Sequence, residues 1–169
     1  NDPVQTIKTC VHGAINMLGL AKRTKAKIIQ ASTSEIYGDP EIHPQTEEYK
    51  GAVSINGPRA CYDEGKRVAE TMCTISNADT CIARIFNTYG SRMRVNDGRA
   101  IPAFMGQVLR DESLTVFGDG SQTRSFCYID DMVEGIYKLL HSNYTKPMNL
   151  GNPEEISLID FANEIISLS

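Results

Sequence analysis

Helix-period stretches and short apolar stretches alternate along this chain, and that alternation limits its fold more than any single residue does. Val4, Ile7, Val11, Ala14, Ile15, Leu18 and Ala21 recur at helical spacing, which predicts an amphipathic helix over 4–24. Asp2 is a candidate N-cap and Pro3 suits a first turn. Lys27–Ser32 is short and mostly apolar and reads as a buried strand. A second helix is expected over 59–76 and a second strand at Thr80–Phe86. Then come a helix over 100–110, a short strand at Leu114–Phe117, a helix from Asp130 or Asp131 to about His141 and a strand at Pro147–Leu150. Ser157-Leu158-Ile159-Asp160 has the form of a capping box before a last helix. Strands alternating with helices argue a parallel α/β sheet.

At 169 residues the chain has the size of one ordinary domain. Its net charge of −4 argues against nucleic acid as the main partner. No apolar run approaches the ~20 residues of a membrane span, and no signal peptide is visible. Cys10, Cys61, Cys73, Cys81 and Cys127 are scattered, which suits reduced thiols in a cytoplasm rather than a disulfide framework or a metal site. His12, His43 and His141 stand alone, so surface or core roles are expected of them. The chain opens on Asn1-Asp2-Pro3, and we expect it to be a piece of a longer protein.

Chemistry concentrates at three places. Tyr62 and Lys66 are four residues apart and share one face of the second helix. An ammonium beside a phenol favours the phenolate, so such a pair can serve as a general base; a chance pair on a solvated helix has the same spacing. Of the seven tyrosines, only Tyr62 has a lysine at this offset. Thr33-Ser34-Glu35 follows the first strand, and Asn87-Thr88-Tyr89-Gly90 follows the second. In open α/β sheets ligands bind beyond the carboxyl ends of strands, although Thr33 or Ser34 could equally cap a helix. Finally, Gly118-Asp119-Gly120-Ser121-Gln122-Thr123-Arg124 ends a turn in a cation, a ligand contact or the end of an ordinary hairpin. The polar stretch from Asp39 to Pro58 reads as a long surface loop of the kind that lines sites.

In combination, Ser32-Thr33-Ser34-Glu35-Ile36-Tyr37-Gly38, Tyr62-x-x-x-Lys66 and Ala83-Arg84-Ile85-Phe86-Asn87-Thr88-Tyr89-Gly90 resemble the extended short-chain dehydrogenase/reductase family of nucleotide-sugar enzymes. Gly57–Arg67, Asn96-Asp97-Gly98-Arg99 and Gly118–Phe126 are similar to its UDP-glucuronic acid decarboxylase (UDP-xylose synthase) subfamily, and the resemblance covers essentially the whole chain. It implies a Rossmann-like doubly wound parallel sheet, here partial, with a small C-terminal substrate-binding part. On that pattern residues 1–90 are the remainder of the NAD-binding domain. Residues 91–169 are mainly the substrate-binding part, with some elements returning to the first domain.

The resemblance also implies roles. Tyr62 would take the proton of the sugar C4 hydroxyl while NAD accepts the hydride. Lys66 would hold the nicotinamide ribose. Thr33 or Ser34 would hydrogen-bond the C4 oxygen, and Glu35 would sit near C5. Thr9, Ala31, Thr88, Arg94 and Arg99, with Tyr62 and Lys66, match cofactor-side positions. Asn87 and Arg124 match contacts to the sugar and diphosphate of UDP-glucuronate, where an Arg fork suits paired phosphates. Asn16, Lys22 and Arg23 are further substrate-side candidates, or simply the polar face of the first helix. Relatives dimerise through the first two helices, so a homodimer is expected. A cytoplasmic enzyme is expected, with a Golgi-anchored longer form as the alternative.

Three departures stand beside this. The Gly-x-Gly-x-x-Gly loop, the acidic ribose ligand and a C-terminal substrate arginine do not occur among these residues, so the chain alone is expected to bind NAD poorly. The link from Met72 to Cys81 is several residues shorter than in the family. Either the Tyr62 helix is trimmed or residues are absent from the sequence as it stands; the intact flanking motifs favour the second. Alternatives stay open: a dTDP-glucose 4,6-dehydratase, whose relatives carry Asp where Ser34 stands, an NDP-sugar 4-epimerase, or an inactive fragment or dimerisation module.

Overall fold

The computed structural model describes residues 2–95 and 98–169. Asn96 and Asp97 of the Asn96-Asp97-Gly98-Arg99 match lie outside the described residues. The chain divides into two units. The first comprises residues 1–86 and 132–150, the second 87–131 and 151–169.

The first unit is built on three parallel strands. Helix α1 (Pro3–Thr24) leads into strand β1 (Ile28–Thr33), and helix α2 (Ala60–Ile75) leads into strand β2 (Thr80–Ile85). β1 and β2 pair in parallel, Ile28 opposite Thr80 and Thr33 opposite Ile85. Because side chains alternate across a strand, β2 divides its residues between two faces. Ile82 packs with Leu18 of α1 and Cys73 of α2. Cys81 and Ala83 pack on the opposite side against Leu139. Leu139 belongs to a helix over Ile129–His141, and strand Pro147–Leu150 then returns to lie parallel to β2. A sheet covered on both faces explains why its strands are apolar runs rather than alternating ones.

Asp2 caps α1, its carboxylate accepting from the Gln5 N–H at 3.0 Å. α1 and α2 lie side by side, and Gly65 sets their approach. A Cβ there would stand 3.0 Å from Cys10 Cβ. After α2, four residues suffice to reach β2. Ser76 closes the helix through its Oγ on the Cys73 carbonyl, and Thr80 Oγ1 donates to the same oxygen at 3.4 Å. The short link leaves Tyr62 near the opposite end of a sixteen-residue helix.

A charged network runs through this core. Arg84 of β2 and Glu70 of α2, each 8% exposed, form an ion pair at 2.8 Å. Burial pulls the Arg84 guanidinium toward deprotonation, but the hydrogen bonds and charge of Glu70, with Tyr37, outweigh it and leave its pKa raised. Arg84 Nη1 also donates to the Tyr37 hydroxyl and to the Glu47 carbonyl, both at 2.8 Å. Tyr37 in turn donates to Asn149 Oδ1 at 2.7 Å. Asn149 donates to the Glu47 carboxylate and the Gln45 carbonyl. Three strand ends and residues 45–47 of the long loop are thus fastened to one guanidinium. Arg67 fastens the loop again, donating to the Ile36 and Lys50 carbonyls at 2.8 and 2.9 Å. At the loop's start Gly38 has φ +64°, and a Cβ would fall 2.2 Å from the Ala52 carbonyl oxygen.

The second unit holds helix α3 (Ala100–Val108), the last helix (Leu158–Leu168) and two-residue strand pairs. Thr88–Tyr89 pairs in parallel with Cys127–Tyr128, and Thr123–Arg124 pairs antiparallel with Ile156–Ser157. One expectation is corrected here. Leu114–Phe117 is not a strand. Thr115 turns its N–H and hydroxyl to the Gln107 side chain of α3, at 3.1 and 2.8 Å, in place of a strand partner. Of the two readings of the glycine turn before Arg124, the hairpin does not hold, since Thr123 and Arg124 pair with Ser157 and Ile156 far downstream. The Ser157 cap holds: its Oγ accepts from the Asp160 N–H at 3.0 Å, while the Asp160 carboxylate takes the Ser157 hydroxyl.

Removing one partner of a buried ion pair strands the other charge. Arg84→Met should lower the unfolding free energy by ~3–5 kcal/mol, read by urea denaturation of the full-length protein. A loss under ~1 kcal/mol, the range of an exposed pair, would mean the pair is solvated.

Candidate active site

The catalytic-type residues of the first unit gather where β1 ends against α2. Lys66 Nζ donates to the Ala31 carbonyl at 2.8 Å, tying the helix to the strand just before its polar tip. The ammonium lies 5.7 Å from the centroid of the Tyr62 ring, and the Arg59 guanidinium stands 5.8 Å from that centroid. Thr33 ends β1 and caps the single 3-10 turn Ser34–Tyr37, its Oγ1 accepting from the Glu35 N–H at 3.3 Å. The cap leaves the Thr33 hydroxyl hydrogen for another acceptor. Ser34 is half-buried beside it. Glu35 pairs with Arg59 at 3.5 Å, both partly exposed.

Asp63, next to Tyr62, is 8% exposed, and its Oδ1 has no hydrogen-bond partner among the described residues. Burial first, then the neighbouring Glu35, pushes its carboxyl above the usual range, against the pull of Arg59.

In the second unit Asn87, Thr88, Arg99 and Arg124 line one cavity of about 360 Å³ with Phe117 and Phe126. Four residues singled out in the sequence therefore share one concave surface with two aromatic rings. Arg124 is exposed and donates to the Thr123 carbonyl at 2.7 Å. Arg94 is exposed and is not part of this lining. Thr9, Asn16, Lys22 and Arg23 lie exposed along α1, and Thr9 accepts from Gln5 at 3.2 Å. No described hydrogen bond or ion pair links these four to Tyr62, Lys66 or Glu35. Arg59, Asp63, Glu70 and Arg84 escaped the sequence reading. A signal existed for Glu70, which follows Tyr62 and Lys66 at helical spacing and so shares their face.

A profile of the NAD dependent epimerase/dehydratase family matches residues 1–151. The chain belongs to that family. It is 56% identical over 99% of its length to UDP-glucuronic acid decarboxylase 1 of Danio rerio. It is 54% identical over 99% to UDP-glucuronic acid decarboxylase 6 of Arabidopsis thaliana. It spans 41% and 50% of those proteins, about half of their length or less. Among solved structures it is similar to dTDP-glucose 4,6-dehydratase of Bacillus anthracis in complex with NAD. The TM-score is 0.85 at 25% identity, over 99% of this chain and 54% of that one. It is also similar to UDP-glucuronic acid 4-epimerase of Bacillus cereus in complex with NAD. There the TM-score is 0.78 at 29% identity, over 95% and 52%. The parallel α/β architecture is that of these Rossmann-like relatives. Among the described residues no helix is long and apolar enough to cross a membrane.

Asp63 gives a pH test. Its folded pKa is raised above the ordinary 3.8, so the stability it contributes is full below that value and is lost as pH rises through the raised one. Asp63→Asn removes this titration. The variant should therefore gain on the wild type as pH rises from about 4 to 7, measured by urea unfolding. A difference that does not vary with pH would mean that folding leaves the Asp63 carboxyl unshifted.

Proposed function

We propose that the full-length protein is an NAD-dependent UDP-glucuronate decarboxylase, forming UDP-xylose and carbon dioxide through a 4-keto sugar. The observation that carries this reading is the 56% identity to a protein of that name along 99% of the chain. Ser34 supports it, because a dehydratase of this family carries Asp there as the acid that expels a hydroxyl.

The donor set suits the nicotinamide end of NAD: a lysine held at a strand's carboxyl end, a half-buried tyrosine on the same helix face and a threonine whose oxygen accepts from the Glu35 N–H, so that its hydroxyl can donate elsewhere. When bound, NAD would take a hydride from the sugar C4 and give it back to C4 of the decarboxylated ketone, so that no net redox change results. Tyr62 receives the C4 hydroxyl proton. Lys66 holds the ribose and keeps a positive charge beside the phenol. Thr33 donates to the developing C4 carbonyl, with Ser34 as its neighbour. The ketone is then β to the carboxylate, so the C5–C6 bond breaks with its electron pair drawn toward the C4 oxygen, releasing carbon dioxide. Glu35 lies on the C5 side, where a proton must be replaced.

Thr9, Ala31, Thr88, Arg94 and Arg99 serve the cofactor on this reading. Asn87 and Arg124 serve the sugar and diphosphate, with Asn16, Lys22 and Arg23 as outer contacts. The first unit is the remaining NAD-binding part and the second the substrate-binding part. Five unpaired cysteines suit a reducing compartment such as the cytoplasm.

A homodimer is part of the proposal. α1 leaves Val4, Ile7, Ile15, Met17 and Leu20 exposed, and α2 leaves Val68 and Ile75 exposed. Light scattering of the full-length protein at micromolar concentration should give twice the chain mass; a monomer would remove the dimer.

The reaction is tested by incubating the full-length enzyme with NAD and UDP-glucuronate and following carbon dioxide and the product sugar. Tyr62→Phe keeps the ring and removes the base. It should lower kcat by at least ~10²-fold while KM changes little. No carbon dioxide, with a neutral hexose nucleotide converted to a 4-keto-6-deoxy sugar, would make it a dehydratase. Conversion of UDP-glucuronate to its 4-epimer would make it an epimerase.

A further inference from the structure

The Glu70 carboxylate is saturated by more than its arginine. Arg84 donates to both of its oxygens, from Nε at 3.1 and 3.3 Å and from Nη2 at 2.8 Å. Ser32 Oγ donates to Oε1 at 2.5 Å, from a residue 4% exposed. Ser32 is the next residue after Ala31, whose carbonyl accepts from Lys66. Glu70 lies one helical turn beyond Lys66 on α2. α2 and the end of β1 are therefore clasped at two adjacent points, Lys66 on Ala31 and Glu70 on Ser32. The first is a solvent-accessible contact of a long flexible side chain. The second is a buried, charge-assisted hydrogen bond to a carboxylate that Arg84 itself holds still.

Stability alone does not call for this arrangement. A buried ion pair is often no better than packed apolar groups, and its best-attested use is to fix one register out of several. The register fixed here is that of β1 against the helix carrying Tyr62. A slip at Ser32 would carry the Ala31 carbonyl with it, and Lys66 would lose its acceptor. We infer that Glu70 is a positioning residue for the Tyr62–Lys66 pair, acting through Ser32 to hold the Ala31 carbonyl where Lys66 binds it. The kinetic part of this inference rests on the decarboxylase reading; the geometric part does not.

Ser32→Ala in the full-length protein is the test, because it cuts the clasp and leaves the Glu70–Arg84 pair intact. Three readouts are taken: steady-state kinetics with UDP-glucuronate and NAD, thermal unfolding, and competitive acetic anhydride labelling of Lys66 followed by peptide mass spectrometry. The expected result is a kcat lowered about tenfold or more, the scale of a small misplacement of catalytic groups. KM should stay near the wild-type value, and Lys66 should label severalfold faster. Glu70→Gln keeps an oxygen for Ser32 and should retain Lys66 protection, whereas Glu70→Ala should lose it. Unchanged Lys66 labelling in Ser32→Ala would overturn the inference and leave Glu70 a stability pair. So would faster labelling accompanied by general unfolding in the thermal scan. If the wild type does not turn over UDP-glucuronate, the decarboxylase reading fails, and the labelling alone decides the positioning.

Discussion

One buried ion pair sets the terms for the first unit. Taking Arg84 and Glu70 out of water is costly, and their attraction offsets that only with good geometry and with every remaining donor and acceptor satisfied. The surrounding sequence supplies those partners. Tyr37, the Glu47 carbonyl and Ser32 take the remaining hydrogen-bonding positions, and Asn149 completes the ring around Tyr37. Each comes from a different element: the end of β1, the turn after it, the long loop and the third strand. The loop over 39–58, expected from its composition to be a surface loop of the kind that lines a site, is thereby fastened through residues 45–47 to the strands that carry Arg84 and Asn149.

The same pair explains which parts of the molecule were readable in the sequence. α1, β1, α2, β2 and the Pro147–Leu150 strand announced themselves, because elements buried on one side carry a period and strands buried on both carry an apolar run. The polar network did not. Arg84 interrupts an otherwise apolar strand, and a lone arginine there gives no indication of whether it turns to solvent or to a partner fourteen residues away. The second unit was harder still. Its strands are two residues long, below the length at which alternation can be seen, and their partners lie far along the chain. Leu114–Phe117 had the composition of a strand, yet its polar groups found the Gln107 side chain first. Short matches single out Asn87, Thr88, Arg99 and Arg124 where no period is legible, and all four line one cavity.

The acids around α2 reveal a further regularity. Glu35 is paired with Arg59, Glu64 with Arg67 and Glu70 with Arg84, at 3.5, 3.7 and 2.8 Å. Lys66 has no such carboxylate among its described ion pairs. It donates instead to the Ala31 backbone carbonyl, a dipole without net charge. A carboxylate would have held the ammonium equally well in space but would have cancelled most of its field. A carbonyl orients the amine without setting an opposite charge against it. The three arginines hold Glu35, Glu64 and Glu70, while Asp63 has no such partner among the described residues. On the proposed reading, the ammonium is thus held by a partner that does not cancel its charge where the reaction develops negative charge.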